Sequence, residues 1–145
     1  MTRGTYPSTG DPEMAKQLHQ LVTGYRVSQV VSAIARFGIA DRLADGPVGL
    51  DQLAVRLDIV HDHLYRLLRG AVSIGLIEEV ELRTFALTPL GELLRSDVAG
   101  SLRSYAMALT APGHWLPWGR LPHAVVSRQP QTKASLGSDI VEYHR

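Results

Sequence analysis

Residues 50–97 read LDQLAVRLDIVHDHLYRLLRGAVSIGLIEEVELRTFALTPLGELLRSD. Leu50, Leu53, Ala54 and Leu57 recur at helical spacing behind Asp51, an acid suited to a helix start. Ile59-Val60 makes a tight turn. A second helical pattern runs from Asp62 to Ile74, with Leu64, Leu67, Leu68, Ala71 and Val72 on one face and Gly75 as its stop. Leu76 to Val80 and Thr84 to Leu87 then read as short strands around a Glu81–Arg83 turn. Thr88-Pro89 opens another helix, with Leu90, Leu93 and Leu94 facing inward. Two helices, a hairpin and a helix in this order predict a mainly α domain of winged helix-turn-helix type with a small β-hairpin.

Upstream, residues 1–11 read as a flexible lead, and Asp11-Pro12-Glu13 as a helix start. One long helix is expected from there to Phe37, stopped by Gly38. Its first half carries a narrow stripe, Met14, Leu18, Leu21, Val22 and Tyr25. Its second half is apolar on nearly every side through Val30, Val31, Ala33, Ile34, Ala35 and Phe37. A helix that is apolar all round must be covered all round. The expectation is an intertwined helical homodimer with Leu18, Leu21, Val22, Tyr25, Val30 and Ile34 in its interface; the alternative is a core helix of a monomer. Ile39 to Leu43 reads as a short helix before a Gly46-Pro47 turn.

Downstream, Ser101 to Leu109 forms a further helix, which Ala111-Pro112-Gly113 breaks. His114 to Arg128 contains Pro117 and Pro122, and an interior proline costs a helix about 3 kcal/mol, so a kinked or broken segment is expected. Residues 129–138 read as polar loop and 139–145 as one last helical turn. The division is a domain over 12–128 and a tail over 129–145.

The chain has 145 residues, 45% hydrophobic and 20% charged, with a net charge of +1. That is a globular composition and enough length for a core. There is no cysteine, hence no disulfide, thiol nucleophile or thiolate metal site. No apolar run approaches the roughly 20 residues of a membrane span, and no apolar signal segment precedes residue 12. A cytoplasmic protein with no membrane contact is expected.

Charge is unevenly spread. Residues 49–100 carry five basic and eight acidic groups, whereas residues 101–145 carry five and two. In a helix-turn-helix the second helix enters the major groove, where Arg66 and Arg69 could touch DNA beside Asp62 and His63. An acidic module with Glu78, Glu79 and Glu81 on its hairpin would repel phosphate instead. A DNA-binding transcription regulator is thus the second reading, and nucleic acid is not the expected partner.

Other chemistry finds little support. His61 and His63 are two apart and do not share a helix face, and His114 and His123 are separated by two prolines. No glycine-rich nucleotide loop and no Gly-x-Ser-x-Gly surrounds Ser28, Ser32 or Ser73. No catalytic, cofactor-binding or metal residue is therefore assigned. His114, Trp115 and Trp118, with Met107 nearby, form an aromatic cluster that either lines an apolar ligand pocket or packs the core.

Together, LHQLVTGYRVSQVVSAIARFGIADRLADGP, LDQLAVRLDI, LYRLLRGAVSIGLIEE, FALTPLGELLRSD, GSLRSYAMAL and HWLPWGRLPHAV resemble the N-terminal dimerisation domain of bacterial small-molecule O-methyltransferases, the S-adenosylmethionine-dependent acetylserotonin, hydroxyneurosporene and caffeate methyltransferase-like enzymes. The resemblance spans about Leu18 to Val126. It implies a homodimer with an intertwined first helix, a winged-helix unit that does not bind DNA, and a lid over the substrate pocket of a catalytic domain that follows. S-adenosylmethionine is expected only in a full-length relative. The chain as given stops at Arg145, so it is expected to be inactive alone, to bind a small apolar or aromatic ligand as a free dimer, or to pair with a full-length methyltransferase.

Overall fold

The computed structural model describes residues 10–143, so most of the expected N-terminal lead and the last two residues of the tail lie outside the described residues. Helix α1 (Pro12–Thr23) begins as its sequence dictates: the Asp11 carboxylate accepts from the Glu13 N–H at 2.9 Å and Pro12 takes the first turn. Helix α2 (Tyr25–Arg36) follows after Gly24. The single long helix expected from 12 to 37 is thus two. Gly24 keeps helical dihedrals (φ −56°, ψ −30°), but the bonds around it tighten to i→i−3, from Gly24 N to Leu21 O and from Val27 N to Gly24 O. A glycine inside a helix is where the ladder yields most readily.

Nor is α2 apolar all round. Ser32, Ile34 and Ala35 are buried, while Val27 and Phe37 lie on the exposed side. Gly38 ends it in the left-handed region (φ +59°). The carbonyls left over at this end are taken by arginines. Arg42 Nη1 donates to Phe37 O and Gly38 O, and Arg103 Nε donates to Ala35 O at 3.0 Å. Asp41 balances Arg103 at 3.3 Å and accepts from the Ser96 N–H at 2.7 Å.

Helix α3 (Ile39–Arg42) leads to β1 (Val48–Gly49), a strand the sequence reading did not anticipate. Then come α4 (Leu50–Leu57), α5 (His61–Ser73), β2 (Ile77–Glu81) and β3 (Thr84–Leu87). The strands form an antiparallel sheet in the order β1-β3-β2, with Val48 opposite Phe85 and a bulge between Glu79 and Glu81. Helix α6 (Pro89–Glu92) is capped by Thr88, whose hydroxyl oxygen accepts from the Gly91 N–H at 3.1 Å.

The core is built by Ile34 and Ala35 of α2, Ile39 and Leu43, Leu50 and Leu53 of α4, Leu64, Leu68 and Ala71 of α5, and Ile77, Phe85 and Leu94. Of the three leucines expected inward from α6 onward, only Leu94 is buried; Leu90 and Leu93 are exposed because α6 ends after a single turn. Gly70 lets α5 approach α2, since a Cβ there would sit 3.3 Å from Val30 Cγ2.

The C-terminal part is a run of short helices: α7 (Arg103–Leu109), α8 (Pro112–Trp118), α9 (Leu121–Ser127), α10 (Thr132–Leu136) and α11 (Ile140–Tyr143). Pro112 opens α8 rather than merely ending α7, and Pro122 sits in the first turn of α9, where a missing N–H costs nothing. The broken segment expected over 114–128 is therefore α8 and α9. Residues 132–136, expected as loop, are helical and pack on α8. Among the described residues no helix is long and apolar enough to cross a membrane.

Candidate functional site

Helix α1 buries none of its residues. Yet Leu18 is 62% exposed, Leu21 73% and Val22 67%, and they form one stripe that continues, through helical Gly24, to Tyr25. Such a stripe on an otherwise solvated helix lacks the packing that normally holds a helix of 12 residues together. The other two residues expected in the interface lie elsewhere. Ile34 is 1% exposed and belongs to this chain's own core, and Val30 packs against it beside Gly70. A fully apolar window does not say which side faces inward, and in the second half of the expected helix the side holding Ile34 faces this chain's own core.

Beside the root of the stripe lies an open cavity of about 620 Å³, lined by Tyr25 and Ser28 of α2, Leu109 and Thr110, and His114, Trp115, Leu116 and Trp118 of α8. Three of the residues expected around an apolar ligand, His114, Trp115 and Trp118, are thus brought together. Met107 is not: its side chain packs toward the core, and its carbonyl accepts from Arg36 Nη2 at 2.9 Å. Hydrogen bonds tie the wall together on the α2–α7 side. Ser32, almost fully buried, shares a short hydrogen bond with Thr110, and Arg36 Nε donates to Ser32 Oγ at 3.2 Å. Trp118, at the rim, is 70% exposed. Sequence reasoning missed Ser28, Leu109 and Thr110 on this wall; only their contact across α2 and α7 reveals them.

A second groove of about 370 Å³ adjoins the first through Ser28, Leu109 and Thr110. Its floor and walls include Val31, Ile74, Leu76, Leu90, Leu93 and Tyr105. The exposed Leu90 and Leu93 therefore open onto apolar surface rather than lying singly in solvent.

The face formed by α5 and the β2–β3 hairpin has a different character. Arg69, placed on the outer side of α5, is paired with Glu79 of the hairpin at 2.9 Å. Glu79 also accepts from the Arg83 N–H at 2.8 Å. These contacts, the Arg83 backbone bond foremost and Arg69 after it, hold the Glu79 carboxyl below its ordinary value against the opposing effect of desolvation. Arg83 lies over the Tyr65 ring at 5.5 Å. Of the two arginines expected to face a major groove, Arg69 is thus engaged within the module, while Arg66 is exposed. His61 is held between Asp51, at 2.7 Å, and Asp62. Among the described residues no three His, Asp or Glu side chains are grouped to hold a metal.

S-adenosylmethionine binding needs a nucleotide-sized site, and such sites are commonly built at a glycine-rich strand-to-helix turn of a parallel sheet. The sheet here is antiparallel and three-stranded, and its one direct strand-to-helix step, Gly49 to Leu50, carries a single glycine. The described residues do not fit that cofactor.

Comparison with known proteins gives a consistent result. Residues 19–97 match the O-methyltransferase dimerisation domain family. The chain is 32% identical over 134 residues to a phenazine O-methyltransferase of Lysobacter antibioticus, covering 92% of this chain and 39% of that protein. It is 37% identical over 110 residues to the O-methyltransferase SfmM3 of Streptomyces lavendulae, covering 76% and 33%. The solved structure of LaPhzM superposes with a TM-score of 0.85 at 32% identity, over 90% of this chain and 39% of that one. An 8-amino-8-demethylriboflavin dimethyltransferase from Streptomyces davawensis gives 0.82 at 29% identity, over 89% and 38%. The chain spans between a third and two fifths of the length of these relatives.

Proposed function

The chain belongs to the O-methyltransferase dimerisation domain family, and from that membership we propose that it forms a homodimer through the α1 stripe and acts as the dimerisation and substrate-lid unit of a small-molecule O-methyltransferase. The observation that carries the reading is α1 itself, a capped helix with an apolar stripe and no buried residue. Leu18, Leu21, Val22 and Tyr25 form the contact. Val30 and Ile34 support it from the core side.

His114, Trp115 and Trp118 line the ligand side of the lid, with Tyr25 replacing Met107 in that set. The relatives are named for phenazine and riboflavin-type substrates, and a wall of two tryptophans and a tyrosine suits a planar aromatic ligand of that kind. The methyl donor, S-adenosylmethionine in the family, belongs to the catalytic part of such an enzyme, and no residue of 10–143 is given a catalytic role. The domain reading is a unit over 12–128 and a tail over 129–145 leading toward that part. The cysteine-free composition suits a reducing cytoplasm. A full-length methyltransferase of the family is a second candidate partner for the α1 stripe. Nucleic acid is not a partner on this reading, because Arg69 is paired with Glu79 and the module around it, with Glu78 and Glu81 on the same hairpin, is net acidic.

Light scattering on the purified protein tests the dimer: the expected mass is near twice 15.9 kDa, and a mass of one chain at micromolar concentration removes the reading. Titration with planar phenols, followed by tryptophan fluorescence, tests the lid. A saturable change is expected, and its absence removes the ligand part.

A further inference from the structure

Among the described residues Ser32 is the one polar side chain that is buried, at 2% exposed. A hydroxyl so placed must make its hydrogen bonds inside the protein. Arg36 Nε donates to Ser32 Oγ at 3.2 Å. A serine hydroxyl has one proton of its own, and the acceptor beside it is Thr110 Oγ1. Thr110 in turn donates to the α7 carbonyls of Ala106, at 3.2 Å, and Met107, at 3.3 Å. The bonds therefore run in one direction, from Arg36 through Ser32 and Thr110 into the end of α7.

The ties between α2 and α7 follow one another along the pair. Arg103 Nε reaches Ala35 O at the start of α7, and Arg36 Nη2 reaches Met107 O within it. The Ser32–Thr110 bond is the last of them and stands at the corner where α7 ends and α8 begins. Directly after Thr110, the Ala111 carbonyl accepts from the His114 N–H at 3.0 Å and the Trp115 N–H at 2.9 Å, so the first turn of α8 hangs from this corner. Thr110, His114, Trp115 and Trp118 line the cavity, and Ser32 does not. We propose that Ser32 is a positioning residue for the cavity: its hydroxyl holds the α7–α8 corner against α2 and so sets the place of the Trp115–Trp118 wall, without touching the ligand. This rests on the ligand reading above. Without the hydroxyl, Thr110 keeps only the bonds to its own helix, and the nearest remaining tie to α2 lies three residues back, at Met107.

The test uses the whole chain, with 2-naphthol as a planar phenol titrated by calorimetry. Both tryptophans of the chain stand on α8, so the near-ultraviolet circular dichroism of tryptophan reports that helix alone. We expect Ser32→Ala to remain folded, to show a weakened tryptophan band, and to bind 2-naphthol about fivefold to tenfold more weakly, the loss that one buried hydrogen bond carries. Ile77→Val is the control: it removes a buried methyl group in the hairpin, away from the cavity, and so lowers stability while leaving band and affinity at their wild-type values. Arg36→Met removes the donor to Ser32 Oγ from an exposed residue and changes both readings in the same direction by a smaller factor; it decides the matter if Ser32→Ala fails to fold. A folded Ser32→Ala with the wild-type band and the wild-type affinity overturns the proposal, and so does an equal change in Ile77→Val. A wild type that binds no 2-naphthol removes the ligand reading instead, and the tryptophan band then decides alone whether Ser32 sets the wall.

Discussion

Gly91→Ala perturbs one contact whose geometry is explicit. A Cβ built on Gly91 would stand 2.0 Å from the Leu76 carbonyl oxygen and 3.1 Å from its carbon. A carbon needs about 3.3 Å from such an oxygen, so α6 must lift by more than about 1 Å. That movement pulls on Thr88, whose N–H donates to Leu76 O at 3.3 Å and whose hydroxyl is shared between Gly75 O at 2.6 Å and Leu76 O at 3.0 Å. Two hydrogen bonds at about 1 kcal/mol each are weakened. Overpacking adds about 1–3 kcal/mol, and the better helix propensity of alanine returns at most about 1 kcal/mol. The net loss is about 2–4 kcal/mol, which at a urea slope of about 2 kcal/mol/M lowers the midpoint by about 1–2 M. Urea unfolding at a fixed protein concentration, followed by far-ultraviolet circular dichroism, reads it directly. Gly49→Ala is the control: nothing lies within 4 Å of its Cβ and its φ is −69°, so it should change stability by less than about 1 kcal/mol. A Gly91→Ala protein as stable as the wild type would refute the packing described for α6 on the β2 entry.

Three further outcomes follow from the contacts. Asp41→Asn removes the counter-charge of Arg103 and weakens the acceptor for Ser96, and should cost about 1–2 kcal/mol by the same urea assay; no change would deny that this network ties α3 to α7. Glu79 has a folded-state pKa below its ordinary 4.5, so the stability it adds is present above that value and is lost as pH falls through the lowered one. The gap between wild type and Glu79→Gln should therefore narrow when unfolding is measured at successively lower pH below about 4.5; a gap that stays constant or widens would contradict the Arg83 and Arg69 contacts. In an electrophoretic shift assay the protein should leave duplex DNA unshifted at about 0.15 M salt, and a tight, sequence-selective, salt-sensitive shift would restore the regulator reading.

How far the sequence disclosed this molecule depended on whether the signal was local. Thr88-Pro89, Gly75 and the two short runs on either side of the Glu81–Arg83 turn carry their own turn and strand chemistry, and the structure follows them. The stripe Leu18–Tyr25 was legible because its polar neighbours define its side. Ile34 was not: within an almost wholly apolar window, only the packing of α2 on α5 and α7 decides what is buried. Strand β1 is two residues long and exists because Val48 finds Phe85, a pairing 37 positions away that no local pattern announces. Residues 132–136 have the polarity of a loop, yet α8 gives them a surface on which to fold as a helix. At the candidate site the aromatic cluster was visible, but Met107 was drawn in by proximity in sequence, while Ser28 and Thr110, far apart in the chain, meet only across α2 and α7.

The central claim is that α1 is held by a second copy of the chain. Amide hydrogen exchange of residues 12–23, measured at protein concentrations on either side of the dimer–monomer transition, tests it most directly. The account predicts slow exchange in the dimer and exchange near the unprotected rate in the monomer, with the α5 amides protected throughout. Exchange in residues 12–23 that is the same on both sides of the transition would contradict it.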